Sequence, residues 1–270
     1  MTPILAFDLE TVPDLEGIRR LNGLPAELPD TEVAEGYAQA RRSATGSDFP
    51  PHYLHKVVAV ACALRRDDGL KVWSVGEPGE GEADLIRRFF EGVEKFSPQL
   101  VSWNGGGFDL PVLHHRALIH GVTASRYWDW GDDDRDFKFN NYLSRFHTRH
   151  IDLMDVLAAF QPRASAPLDA IAKLCGFPGK LGMDGSQVAG AVARGAIDEV
   201  RRYCETDALN TYLVYQRFRM MRGELTAGAY AQEVSLVRET ITASGAPHWR
   251  EFLEAWDRNA AAPVDGKASG

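Results

Sequence analysis

The chain has 270 residues, of which 44% are hydrophobic and 25% charged, the composition of an ordinary globule with material for a sizeable core. Its formal charge of −8 argues against broad binding to phosphate backbones, which depends on Lys and Arg. It leaves room for a local site, because carboxylates that hold divalent cations carry positive charge once loaded.

In chain order, Ile4-Leu5-Ala6-Phe7 is a short apolar run that reads as a buried strand continuing to about Glu10. Residues 13–55 break that regularity with Pro13, Pro25, Pro29, Pro50 and Pro51, and read as an insertion over one face with a helix near 31–42. Residues 56–64 form a strong strand. Asp67-Asp68-Gly69 is a turn, and 70–75 the return strand of a hairpin. Leu85, Ile86, Phe89, Phe90 and Val93 make the stripe of an amphipathic helix over 82–96. A fourth strand spans 99–103, a glycine loop follows, and a helix starts near Pro111, a residue favoured in a first helical turn. Residues 127–146, rich in rings and charges, read as a second irregular insertion, and 150–153 as a fifth strand. The chain to about 222 is mainly helical with a loop at 176–186. A last amphipathic helix includes Trp249, Phe252, Leu253 and Trp256. One α/β domain over 1–256 is expected, followed by a flexible tail over 257–270.

No apolar run is long enough to cross a bilayer, and the first residues lack the basic region of a secretory signal. Cys62, Cys175 and Cys204 match neither a disulfide framework nor a zinc-site spacing. A reduced, cytoplasmic setting without a membrane partner is the expectation.

Three acidic islands stand out. In Phe7-Asp8-Leu9-Glu10-Thr11, strand alternation puts Asp8 and Glu10 side by side, with Phe7 and Leu9 on the opposite face. Adjacent carboxylates repel unless a proton or cation lies between them, and hard oxygen ligands suit Mg²⁺ or Mn²⁺. Taken alone, such a pair more commonly just ends a strand in solvent. In Ser102-Trp103-Asn104-Gly105-Gly106-Gly107-Phe108-Asp109, a strand runs through glycines into a helix that opens with an acid. The glycines allow close approach of a ligand to the backbone. The run is neither a P-loop nor a dinucleotide fingerprint, and Asp109 alone is equally an N-terminal charge on a helix. In Tyr203-Cys204-Glu205-Thr206-Asp207, a helix puts Tyr203 and Asp207 on one face, which by itself is ordinary packing.

Taken together, the order of these islands resembles the DEDDy branch of the 3′→5′ exonuclease superfamily. The spacing from Asn104 to Asp109 is similar to that in the proofreading domain of family-B DNA polymerases, and above all to the stand-alone predicted exonucleases related to it. Those proteins share segments like His150-Ile151-Asp152-Leu153-Met154-Asp155 and Gly179-Lys180-Leu181-Gly182-Met183-Asp184-Gly185-Ser186. The likeness covers about 1–222. It implies a ribonuclease-H-like fold, a mixed five-stranded sheet flanked by helices, with the acids converging at one edge of the central sheet. It also implies two divalent cations, Mg²⁺ or Mn²⁺, held by Asp8, Glu10, Asp109 and Asp207. In that scheme Asp8 bridges both ions, Glu10 and Asp207 complete the nucleophile side, Asp109 supports the second ion, and Tyr203 orients the attacking water. Leu9, Thr11, Asn104 and Phe108 are weaker candidates for holding the terminal nucleotide. The implied partner is the 3′ end of single-stranded DNA or RNA, with DNA favoured, and the product a nucleoside 5′-monophosphate. An RNase D-like RNA-trimming enzyme and a non-catalytic nucleic-acid-binding module on the same fold are the alternatives.

Two features stay open on sequence alone. The 127–146 segment interleaves rings with Arg135, Lys138 and Arg145 but is acidic overall, so a structural flap competes with a strand-binding surface. Lys180 fits a phosphate contact and a solvated loop lysine equally well. His114, His115 and His120 lack the i, i+4 spacing of a zinc pair.

Overall fold

The computed structural model describes residues 2–261. Strand β1 (Ile4–Pro13) leads into α1 (Leu15–Asn22) and α2 (Asp30–Thr45), then into the hairpin of β2 (His55–Arg66) and β3 (Gly69–Ser74). Helix α3 (Glu82–Phe96), β4 (Gln99–Ser102), α4 (Asp109–His120) and β5 (His150–Asp152) complete the sheet region. Helices α5 (Leu153–Leu157), α6 (Leu168–Leu174), α7 (Val188–Ala193) and α8 (Ile197–Met221) follow, then α9 (Ala227–Ser244) and α10 (Pro247–Ala261). The five strands lie in the order β3-β2-β1-β4-β5, with β1 antiparallel to β2 and parallel to β4, and β4 parallel to β5. This is the mixed five-stranded α/β sheet expected of a ribonuclease-H-like fold.

The pleat of β1 divides the core. Leu5, Phe7 and Leu9 pack with Leu85, Ile86, Phe89, Phe90 and Val93 of α3 and Leu110 and Leu113 of α4. Ile4 and Ala6 face Leu209, Tyr212 and Leu213 of α8 on the other side. Since side chains alternate along a strand, Asp8 and Glu10 continue the α8 face, where the apolar positions give way to acids. Helix α8, about 37 Å long at 1.5 Å per residue, is buried along most of its length, including Val200, Tyr203, Cys204, Asp207 and Ala208.

The expected insertion over 13–55 holds two helices rather than one. Its root is tied down by Arg116 of α4, which is buried, pairs with Glu82 and Asp14, and donates to the Tyr53 carbonyl. The Glu82 carboxylate also accepts from the Val57 backbone N–H at 2.7 Å. The 127–146 segment is irregular, as expected, with one 3-10 turn at Arg135–Lys138. Helix α9 has no counterpart in the sequence reading: it has only two fully buried residues, Val237 and Ile241, so its apolar stripe is weak in sequence. Helix α10 runs to Ala261, past the expected start of a flexible tail at 257, and residues 262–270 lie outside the described part. Among the described residues no helix is long and apolar enough to cross a membrane.

Candidate active site

Strand β1 pairs with β4 only over Ile4–Ala6. Beyond that point β1 continues without its parallel neighbour, and Asp8 and Glu10 fall on this stretch. The Leu9 backbone N–H, left without a ladder partner there, donates to Asp109 Oδ1 at 3.1 Å. This bond brings the N-terminus of α4 against β1. On the other side of β1, the β1–β2 register shifts between Glu10 and Thr11, a bulge of the kind that re-aims side chains near sites. The acids therefore meet on the middle strand, at the end of its ladder with β4.

Helix α8 closes the cluster. Asp8, Glu10 and Cys204 each have a ligand atom within 4.8 Å of the others. The Cys204 thiol lies 3.2 Å from the Asp8 carbonyl and 3.6 Å from Asp8 Oδ2. One turn on, Asp207 Oδ2 is 3.2 Å from Lys180 Nζ, which also donates to the Tyr203 hydroxyl at 2.5 Å. The other oxygen, Asp207 Oδ1, is buried and has no hydrogen-bond partner.

Electrostatics follow from this crowding. Burial pushes the Asp8 carboxyl well above its usual range, and Glu10, Asp207 and Asp109 add to the rise. Glu10 is raised by burial and by Asp207, with Lys180 opposing. Asp109 is pushed up to about 7, chiefly by burial. Asp207 is also raised by burial, against the pull of Lys180. The Tyr203 phenol goes up through burial and the neighbouring acids, which makes it a hydrogen-bonding group rather than a base at neutral pH. Burial alone would lower Lys180, but the attraction of Asp207, Asp8 and Glu10 outweighs it. Three buried carboxylates and the half-buried Asp8 face one ammonium, so the site is short of positive charge.

That shortage, the unpartnered Asp207 oxygen and the hard donor set fit divalent cations such as Mg²⁺ or Mn²⁺. Asp8, Glu10, Asp109 and Asp207 are the residues that would hold them.

The structure brings Asp8, Glu10, Asp109, Tyr203 and Asp207 together. It treats the weaker candidates unevenly. The Leu9 N–H is committed to Asp109, and Thr11 Oγ1 bonds His55 Nδ1 at 2.9 Å. Phe108 packs edge-on against His55 at 5.0 Å and lies 5.8 Å from both Phe49 and His52, three rings supplied by the insertion. Asn104 takes a positive φ of 65°, which Asn tolerates, and its N–H donates to Asp152.

The glycine loop has a different logic from the expected approach of a ligand. A Cβ on Gly105 would lie 2.3 Å from Ser102 Oγ, and one on Gly107 2.5 Å from Asn104 Oδ1. These glycines make room for the loop's own side chains.

Sequence reasoning passes over three residues. Lys180, with its side chain 36% exposed, reaches into the acid cluster, a contact neither reading of it includes. Cys204 fits no zinc spacing, yet its place beside Tyr203 on α8 sets it against Asp8. Asp152 is a positioning residue. Its carboxylate accepts from the N–H groups of Asn104 at 2.9 Å, Gly106 at 2.8 Å, Met154 at 3.1 Å and Asp155 at 3.4 Å. Asp152→Ala is expected to destabilise the fold by about 3 kcal/mol, since several buried donors lose their acceptor. Urea unfolding measures this, and a loss below ~0.5 kcal/mol would show the loop stands without it.

A family model described as a predicted 3′-5′ exonuclease related to the exonuclease domain of PolB matches residues 47–256. The match spans the second and third acidic islands, and β1 with Asp8 and Glu10 lies before it. One DNA polymerase epsilon catalytic subunit of Arabidopsis thaliana is 23% identical over 237 residues, 80% of this chain and 10% of its own length. The DNA polymerase epsilon catalytic subunit of Saccharomyces cerevisiae is 26% identical over 144 residues, 51% of this chain and 6% of its own. A DNA polymerase of Archaeoglobus fulgidus is 24% identical over 148 residues, 54% of this chain and 18% of its own. The chain thus spans less than a fifth of the length of these relatives. By the extent of the family match, the chain belongs to the predicted 3′-5′ exonucleases related to the exonuclease domain of PolB.

Proposed function

We propose that the chain is a DEDDy-type 3′→5′ exonuclease that hydrolyses terminal phosphodiesters of single-stranded nucleic acid, DNA by preference, and releases nucleoside 5′-monophosphates. The convergence of Asp8, Glu10, Asp109 and Asp207 around Tyr203 and Lys180 carries this reading. The likeness to DNA polymerases supports DNA over RNA.

Two divalent cations bound there would supply an activated water and charge stabilisation for the leaving 3′ oxygen. Within this frame Asp8 lies between the two halves of the carboxylate set, with Glu10 and Asp207 on the α8 side and Asp109 on the α4 side. Tyr203, whose hydroxyl accepts from Lys180 beside Asp207, orients the attacking water through that hydroxyl. Lys180 keeps one positive charge at the site when the phosphate arrives. Phe108, backed by Phe49, His52 and His55, offers a ring face to the terminal base.

Tyr203→Phe is expected to lower kcat roughly 10- to 100-fold, less than the roughly 10²–10⁴-fold of a general base because the hydroxyl orients water rather than taking its proton, while KM changes little because the carboxylates remain. Steady-state hydrolysis of a labelled oligonucleotide checks this, and an unchanged kcat would remove Tyr203 from the mechanism. The whole reading is tested with 3′-labelled and 5′-labelled single strands of DNA and RNA, with Mg²⁺, Mn²⁺ or chelator. Mononucleotide release from the 3′ label, blocked by chelator, is the expected result. Tight binding with no cleavage under any condition would favour the non-catalytic module.

A further inference from the structure

The 127–146 segment divides in two. Tyr127, Phe137 and Tyr142 are buried in the core, with the Arg149 and Arg126 guanidiniums over the Phe137 ring at 3.9 and 5.1 Å. That part is a structural flap. Its end is different. Phe146 is 80% exposed, and its ring meets Phe160, from beyond α5, at 6.2 Å in an edge-to-face arrangement. The Arg145 guanidinium lies 4.4 Å from the Phe160 ring and 5.6 Å from that of Phe146. Among the described residues Arg145 has no ion pair within 4.0 Å.

These three side chains line a cleft of about 290 Å³ together with Gly106, Asp152 and Asp155. Gly106 belongs to the glycine loop, three residues before Asp109, so this rim of the cleft lies within about 11 Å of Asp109 along the chain. The backbone beneath it is strained. Ala159 and Phe160 both take left-handed conformations, with φ of 49° and 59°, which a phenylalanine rarely adopts. Such strain persists where the surroundings hold it in place, and it is concentrated at functional positions.

We propose that Arg145, Phe146 and Phe160 form a stacking platform for the single strand of nucleic acid that leads away from the acids past the glycine loop. This rests on the exonuclease reading of the site and adds a grip on bases beyond the terminal one. The chemistry fits that occupant. The exposed Phe146 ring and the half-buried Phe160 ring offer π faces, and the Arg145 guanidinium between them, its charge felt by Asp155 but not held in a close ion pair, adds positive charge, the combination that binds bases without regard to their sequence. Continuity with the glycine loop puts the platform on the path of a strand whose 3′ end sits at Asp109. A chain with a net charge of −8 needs its cations placed locally for this purpose, and Arg145 is so placed.

The test is anisotropy of fluorescein-labelled oligothymidylates of two and ten nucleotides, with chelator present so that no cleavage occurs. The wild-type chain is expected to bind the ten-mer at least about tenfold more tightly than the two-mer, as stacking of further bases requires. The double substitution Arg145→Ala, Phe146→Ala is expected to abolish that length dependence. Phe160→Gly keeps the left-handed backbone and removes the ring. It is expected to weaken ten-mer binding while holding or raising the thermal midpoint, which a merely structural role for the ring would lower. Length dependence that survives both variants, or is missing from the wild type, overturns the platform. Mononucleotide release is read separately with Mg²⁺. Length-dependent binding through the platform without release would support the platform and overturn the exonuclease reading.

Discussion

Replacing Asp8 with alanine is expected to abolish mononucleotide release and yet raise the thermal midpoint of the cation-free protein. Asp8 is the carboxylate that meets every other acid of the site: Glu10, Asp207 and Asp109 all push its pKa up, on top of burial. Under the proposed mechanism its loss removes the group shared by both halves of the cation set. The loss of turnover should be about 10³-fold or more, as for other removals of several kcal/mol of charge stabilisation. The same crowding makes the residue costly to the fold. A buried carboxylate surrounded by like charges destabilises the native state wherever it is ionised, and alanine ends that repulsion. The gain should be on the order of 1 kcal/mol, about 2–4 °C for a domain of this size. Oligonucleotide hydrolysis and a thermal melt on one preparation measure both effects. A folded variant that degrades single strands at the wild-type rate would refute the site, and a lowered melting point would refute the repulsion.

The second large effect links pH, cations and stability. Asp8, Glu10, Asp109 and Asp207 all have folded pKa values above their ordinary range, Asp109 at about 7. A raised acid binds more protons in the native than in the unfolded state, so stability falls as pH rises toward the folded value. The buried imidazoles act the other way lower down. His114 and His150 are lowered to about 4 by burial, so they add stability as pH rises from about 4 to about 6.5. Above about pH 6.5 their contribution levels off as the unfolded imidazoles lose their protons, and the raised acids give the slope its downward sign. With chelator, the melting temperature is therefore expected to fall between about pH 6.5 and 8. With Mg²⁺ or Mn²⁺ at a hundred times its Kd, the protein should gain about 2.7 kcal/mol, roughly 5–10 °C, and the slope should flatten. Melting curves across that range, with and without cation, decide the matter. A midpoint indifferent to cation at pH 8 would count against a metal centre.

Much of the fold is legible in the sequence because its periodicities are strong. The α3 stripe predicts a helix over 82–96 and the structure has Glu82–Phe96; the hairpin, the strand before the glycine loop and the helix after it are equally clear. Helix α9 is not, since it buries little and its pattern is correspondingly faint. Helix α1 is hidden among prolines, although Asp14 caps it by accepting from Gly17. The 127–146 segment cannot be assigned from composition. Its rings alternate between core and surface without a helical or strand period, and only packing separates Tyr127 and Tyr142 from Phe146.

By itself the sequence singled out the residues proposed to carry the chemistry. An acid pair two apart on a strand, an acid at a helix start and a tyrosine four residues before an acid on a helix are local patterns, set by backbone periods of 2 and 3.6. The tertiary structure decided how they meet. The end of the β1–β4 ladder leaves the Leu9 N–H free to take Asp109. The long helix α8 brings Cys204, Tyr203 and Asp207 across the sheet to Asp8 and Glu10, and the 176–186 loop folds back to place Lys180 between them. Contacts between residues 100 or 196 positions apart have no local period. They arise only when the two faces of β1 are buried against different helices, and that burial places the four carboxylates and Tyr203 in one site.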